Sequence, residues 1–194
     1  MTSRPLSGPA TAMAIAALGA AVGLAGDACH VATHTTRYLW PEIPTVGRSA
    51  VWFPALLAGG LVGGAWLAKR AHATPARRHG RAGAVVAATL VLALYALTAA
   101  LRDQPTAVSV ALTGALAVAV WAWWDPSRGA FAVAIVAAIA GPVAEIAIVA
   151  TGASEYREGS DGLAGVAPWL PCLYFAAGAV TSGLWSAVAR DGAA

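Results

Sequence analysis

Apolar residues run in long, nearly unbroken stretches along this chain, and polar residues gather in short clusters between them. Six stretches stand out: residues 10–32, 49–68, 83–101, 106–124, 126–151 and 168–189. A helix rises about 1.5 Å per residue, so about 20 mostly apolar residues cross the hydrocarbon core of a bilayer. The pattern predicts an all-α, polytopic membrane protein with six transmembrane helices. Six spans consume most of the 194 residues, so 1–194 reads as a single integral membrane domain with no soluble one attached. The first span, an apolar run after Arg4, resembles a signal peptide, but no Ala-x-Ala site precedes Cys29, and we read it as an uncleaved helix.

The junction Trp121-Ala-Trp123-Trp124-Asp125-Pro126-Ser127-Arg128-Gly129 carries the sharpest signal. Tryptophan is favoured where membrane meets water, because its ring is apolar and its N–H wants a wet partner. Two helices should therefore meet at one bilayer surface here. Asp125-Pro126 reads as an N-cap followed by proline at the first helical position, where a missing N–H costs nothing. Pro105-Thr106 and Pro168 similarly mark the starts of the fourth and sixth spans. Gly19/Gly23, Gly59/Gly63, Gly60/Gly64 and Gly178 with Ser182 are small-residue pairs that let helix backbones approach closely.

Composition agrees with a bilayer as solvent: 59% of residues are hydrophobic and 11% charged, against roughly a quarter charged in soluble domains. Mean hydropathy is +0.68. The net charge of +3 speaks to orientation and gives no sign of nucleic-acid binding. With six spans, Arg4, Lys69, Arg70, Arg77, Arg78, Arg81, Arg128 and Arg190 fall on one side, and Arg37, Arg48, Arg102 and Arg157 on the other. The positive-inside bias then places both termini in the cytoplasm. The basic run 69–81, with His72 and His79, either fixes topology or also meets anionic headgroups.

Candidate chemistry is sparse. Glu145 is the one ionisable residue well inside a span, three residues after Pro142, which frees the carbonyl of Ala138 and kinks the helix. A carboxyl group there should face protein or a cavity and is a functional candidate by default; the alternative is a protonated acid bonded to a neighbouring helix. Asp27, His30 and His34 stand at i, i+3 and i+7 on one helix face, a spacing compatible with a metal, but they sit at a helix end, where polar residues are expected anyway, and no metal site is assigned. Cys29 and Cys172 read as free thiols packed as small hydrophobes. There is no Ser–His–Asp arrangement, phosphate loop or Cys-x-x-Cys pair, so we expect neither an enzyme nor a cofactor.

Several of these segments resemble the Insig family, six-helix membrane proteins of sterol regulation. The tryptophan-rich run through Arg128 and Phe131 is similar to the family's segment leading into Asp-Arg-Ser-Arg-Ser-Gly. Trp169-Leu-Pro-Cys-Leu-Tyr-Phe-Ala-Ala-Gly178-Ala-Val-Thr181 resembles its Trp-Leu-Pro-Cys-hydrophobic-Phe-Phe-Ala-Gly-Gly-Ile-Thr. Gly152 and Tyr156 fall where the family reads Asn-Gly-Val-Tyr-Gln-Tyr, and Trp52-Phe53-Pro54 echoes a Trp-Trp-Val-Pro. Usage rich in Ala, Gly and Arg suggests a bacterial member. In animals the family binds oxysterols, retains a sterol-sensing escort protein and engages HMG-CoA reductase; the acid corresponding to Asp125 serves that partner binding. The resemblance implies partner contact or helix capping for Asp125, Trp121 and Arg128. Pro126 replaces the first Arg of the family's pair, which reduces a basic contact surface, and no sterol-sensing partner is expected in a bacterium.

What the resemblance leaves is the scaffold and a lipid pocket. The expectation is a non-enzymatic protein of the bacterial inner membrane that binds a diacylglycerol-like or sterol-like lipid among its helices. Glu145, Pro142, Trp52, Phe53 and Tyr174 are the residues expected to touch it, in a mostly apolar wall with a few polar anchors. Small-residue faces make a homo-oligomer, with a trimer as the guess, part of the same expectation. The alternative is a small transporter or metal-binding membrane protein using Glu145 and the Asp27/His30/His34 face.

Overall fold

The computed structural model describes residues 7–40, 42, 44–71 and 79–189. Arg4, His72, Arg77, Arg78 and Arg190, all used above for orientation, lie outside them. Six helices form: α1 (Gly8–Ala32), α2 (Trp52–Ala71), α3 (Arg81–Ala100), α4 (Thr106–Trp124), α5 (Arg128–Ala150) and α6 (Leu170–Ala189). Four short strands join them at one end: β1 (Thr36–Tyr38), β2 (Thr45–Val46), β3 (Ser49–Ala50) and β4 (Ser154–Tyr156). Five of the helices are long and apolar enough to cross a membrane. The sixth, α2, spans 20 residues, but four glycines, Trp52, Pro54, Trp66 and the terminal Lys69 and Arg70 dilute its apolarity.

The bundle is organised around α6, which packs against all five other helices. Two thirds of its most apolar window is buried (67%), against 17% for α5. Small residues make this possible. A Cβ at Gly178 would lie 2.5 Å from the Ala137 side chain and 3.0 Å from Ala134 Cα, so only glycine admits α5 at this distance. Gly19 does the same for α1 against α2, where a Cβ would sit 3.0 Å from Ala58 Cα. The close-approach expectation holds at Gly19, Gly23, Gly64 and Gly178. It fails within this chain at Gly59, Gly60 and Gly63, which face open space.

The element starts differ from the sequence expectation in instructive ways. The second span was expected from residue 49, but Ser49 and Ala50 pair with Thr45 and Val46 as a tight ribbon before α2 begins. Helix α6 starts at Leu170, so Pro171 and not Pro168 is the proline of its first turn. The larger correction concerns α5. Its N-cap is Ser127, whose hydroxyl accepts from the Ala130 N–H at 3.1 Å, and Pro126 lies outside the helix. Asp125 instead ends α4, its own N–H donating to the Trp121 carbonyl. A carboxylate buried to 2% exposure finds better partners across the bundle than a local cap supplies.

Two chain reversals build a roof over one end of the bundle. After α1 the chain turns through His34 at φ 56, and after α5 through Gly152 at φ 75, a conformation that glycine adopts without steric cost. The segments that follow, β1 and β4, pair antiparallel: Thr36 opposite Tyr156, Arg37 opposite Glu155, Tyr38 opposite Ser154. Side chains alternate across a strand. One face of the ribbon therefore carries Thr36, Tyr38, Ser154 and Tyr156 inward, while Arg37 and Glu155 form an ion pair in solvent.

Candidate functional site

Beneath this roof the ends of α1, α2, α3, α5 and α6 border a small, partly open cavity. It is lined by Asp27 and His30 from α1, Trp52 and Phe53 from α2, Tyr95 from α3, Glu145 from α5 and Leu170 from α6, with Thr36, Tyr38, Ser154 and Tyr156 from the ribbon. Asp27 is 5% exposed, His30 3% and Glu145 8%. The exposed wall is mostly apolar, as expected from sequence, and these buried side chains are its polar anchors. The ribbon, which no apolar run announced, supplies the extra hydroxyls.

Aromatic rings and hydrogen bonds hold the polar groups in place. The Tyr38 hydroxyl donates to Asp27 Oδ2 at 2.6 Å, and the Tyr174 hydroxyl donates to Glu145 Oε1 at 2.9 Å. His30 Nε2 lies 2.9 Å from Thr98 Oγ1, a hydroxyl within reach of the Leu94 and Tyr95 carbonyls of its own helix. If Thr98 donates to those carbonyls, its oxygen accepts from His30. The imidazole is also clamped between Tyr95 and Trp169, at 5.3 and 5.2 Å between ring centres. Burial pushes the Tyr38 hydroxyl well above the ordinary phenol range, with the neighbouring Asp27 charge adding to it; burial and Glu145 do the same to Tyr156. Both phenols therefore stay protonated and serve as hydrogen-bond donors.

Two of the rings sit where only glycine permits. A Cβ on Gly141 would lie 2.2 Å from the Tyr174 ring, and one on Gly26 would lie 2.6 Å from the Tyr95 ring. The chain has four tyrosines, and all four gather here: three line the cavity and the fourth bonds Glu145. One polar group is left over. The Thr36 hydroxyl oxygen is buried with no hydrogen-bond partner in the structure, although Thr36 lines the cavity. A buried polar atom without a partner is costly and in a native protein calls for an explanation.

Of the five residues expected to contact a ligand, Trp52, Phe53 and Glu145 line the cavity. Tyr174 reaches it through Glu145, and Pro142 is buried one turn earlier in α5. Sequence reasoning missed Thr36, Tyr38, Tyr95, Ser154 and Leu170. The signal available was the rarity of tyrosine in a chain otherwise built of Ala, Val, Leu and Gly. Asp27 and His30 are brought to the site, but His34 is not. Helix α1 ends at Ala32, so His34 falls off the face that its i+7 spacing implied and is exposed. Among the described residues no three His, Cys, Asp or Glu side chains converge to hold a metal.

Asp125 occupies the opposite end of the bundle. Its Oδ1 accepts from the Ser127 N–H at 3.2 Å and its Oδ2 from the Ser182 hydroxyl at 2.9 Å. The carboxylate thus ties the end of α4, the following turn and α6 together, facing inward. Trp121 packs edge-on to Phe131 and its indole N–H points to the Ser127 carbonyl, while Arg128 is exposed. His79 stacks on Trp124 at 4.3 Å and donates to its carbonyl. Asp125→Ala should lower stability in detergent by about 1–3 kcal/mol, because it strands buried donors. Asp125→Asn should cost less, because an amide still bonds Ser127 and Ser182. Thermal unfolding of the three proteins checks this; equal midpoints would remove the inward role.

Long apolar helices packed around a cavity with a few buried polar anchors define a helical membrane protein. The chain belongs to the Insig family. It is 40% identical to an INSIG protein homolog from Mycolicibacterium vanbaalenii over 176 residues, which is 89% of this chain and 84% of that protein. The crystal structure of MvINS, a mycobacterial Insig homolog from Mycobacterium vanbaalenii, superposes with a TM-score of 0.86 at 35% identity, over 92% of this chain and 93% of that one. A cross-linked trimer of a cysteine variant of MvINS gives 0.88 at 36% identity, over 94% and 96%. No family model matches the chain.

Proposed function

We propose that this chain is a non-enzymatic, lipid-binding protein of the bacterial inner membrane, and that the cavity takes the polar end of a diacylglycerol-like or sterol-like lipid. The observation that carries the reading is the unpartnered Thr36 hydroxyl in a cavity that sets a few buried polar side chains within an apolar bundle. A ligand hydroxyl or ester would satisfy Thr36 and reach Glu145. The lipid's chains would leave between α2 and α5, which both border the cavity yet contact each other little compared with their packing on α6. Exposed Leu56 and Val143, on those two helices, would accompany them.

The transporter or metal-binding reading is not favoured, since His34 stands apart from Asp27 and His30 and the described residues assemble no metal set. A homotrimer is part of the proposal, supported by the cross-linked trimer of the homologous MvINS. So is an orientation with both termini in the cytoplasm: reporter fusions at Ala194 and within residues 71–80 should both report the cytoplasm, and a periplasmic signal from either would refute it. The function itself is tested by native mass spectrometry of gently extracted protein followed by lipid analysis. About one neutral lipid per chain is expected, with reduced occupancy in Thr36→Val. A lipid-free protein, or a stoichiometric metal in its place, would contradict the proposal.

A further inference from the structure

Resting on the reading that a lipid's polar end enters the cavity, we propose that Asp27 and Glu145 make the cavity a charge filter that admits uncharged hydroxyl-bearing lipids and rejects lipids bearing a phosphate. Two carboxyl groups line the cavity, and among the described residues no lysine or arginine does. The described arginines at this end of the bundle are engaged elsewhere or turned away. Arg37 pairs with Glu155 on the solvent face of the ribbon. Arg157 pairs with Asp103, which Arg102 also meets at 3.1 Å, and Arg102 further donates to the Thr33 carbonyl. Arg48 lies exposed in the β2–β3 turn.

Hydrogen-bond supply points the same way. An ionised phosphate only accepts, so it needs donors or a cation to replace its water. Two of the tyrosine hydroxyls, those of Tyr38 and Tyr174, already donate to Asp27 and Glu145. What is left without a partner is the Thr36 hydroxyl, beside two carboxyl groups. A ligand hydroxyl fits that remainder, because it both donates to a carboxyl oxygen and accepts from Thr36. A phosphate brings a third set of acceptors beside two carboxyl groups, with no lysine or arginine among the described lining residues to offset it, and an ionised carboxylate there repels it. Rejection built into the wall, beside attraction for the right group, is how a site gains selectivity.

The full chain in detergent is offered equimolar dioleoylglycerol and dioleoyl phosphatidic acid, which share their acyl chains and differ by the phosphate. Bound lipid is counted by native mass spectrometry. The wild type should retain the diacylglycerol by about tenfold or more over the phosphatidic acid. Asp27→Asn with Glu145→Gln keeps the shapes and removes the charges, and should bring the ratio of the two bound lipids toward unity; each single variant should move it part of the way, which keeps the test open if the double variant folds poorly. Equal uptake of both lipids by the wild type, or an unchanged ratio in the variants, would overturn the filter while leaving lipid binding intact. Binding of neither lipid by the wild type would overturn the lipid reading and the filter with it.

Discussion

Gly141→Ala should destabilise the protein and loosen the site together, although alanine is the better helix former by about 1 kcal/mol. The new methyl would start 2.2 Å from the Tyr174 ring, so ring or helix must move. Forcing extra volume into a packed interior typically costs about 1–3 kcal/mol, which exceeds the helical gain and sets the sign. Displacing Tyr174 also breaks its hydrogen bond to Glu145. The expected results are a lower unfolding midpoint in detergent and reduced lipid occupancy. Combining Gly141→Ala with Tyr174→Leu should cost less than the sum of the single changes, because the shorter side chain makes room. Additive costs would mean that the ring and the glycine do not oppose each other.

Glu145→Leu should have the largest effect on ligand binding. It removes the acceptor that faces the cavity and strands the Tyr174 hydroxyl, each at the level of a hydrogen bond to a charged group, about 1.5–3 kcal/mol. That corresponds to roughly a tenfold or greater loss of occupancy. Glu145→Gln should retain much of the binding, since an amide oxygen still accepts from Tyr174. Tyr174→Phe separates the two contributions: it removes the buried donor and leaves the carboxyl group in the cavity. Lipid counts by native mass spectrometry on the three variants check the order Gln, Phe, Leu; unchanged occupancy in the Leu variant would take Glu145 out of the site.

The helices were legible because length and apolarity are local properties, and the fourth span, 106–124, was placed to the residue. Helix ends were less so where tertiary partners competed. Asp125-Pro126 has the local form of a cap, yet Ser182, 57 residues later in the chain, captures the carboxylate. Glu145 stood out as an isolated acid in an apolar run. Its surroundings did not, because Tyr38, Tyr95, Tyr156 and Tyr174 come from four separate elements. The roof was hidden for the same reason: β1 and β4 are three residues each, too short for a period-two pattern, and pair across more than a hundred residues. The outer rim shows the same long reach. Arg157 and then Arg102 hold the Asp103 carboxyl below its ordinary range, so the stability that pairing adds is present above that range and fades as pH falls through the lowered value.

Occupancy of the cavity by a lipid's polar end is tested most directly by photolabelling. A diacylglycerol carrying a diazirine next to the glycerol, activated in membranes holding the full chain, should label peptides containing residues 27–38 and 145–156, and unlabelled diacylglycerol should compete it away. Labelling spread over the outward faces of α3 and α4, around Val85, Val86 and Val118, and insensitive to competitor, would place the lipid in the bulk bilayer and contradict the account.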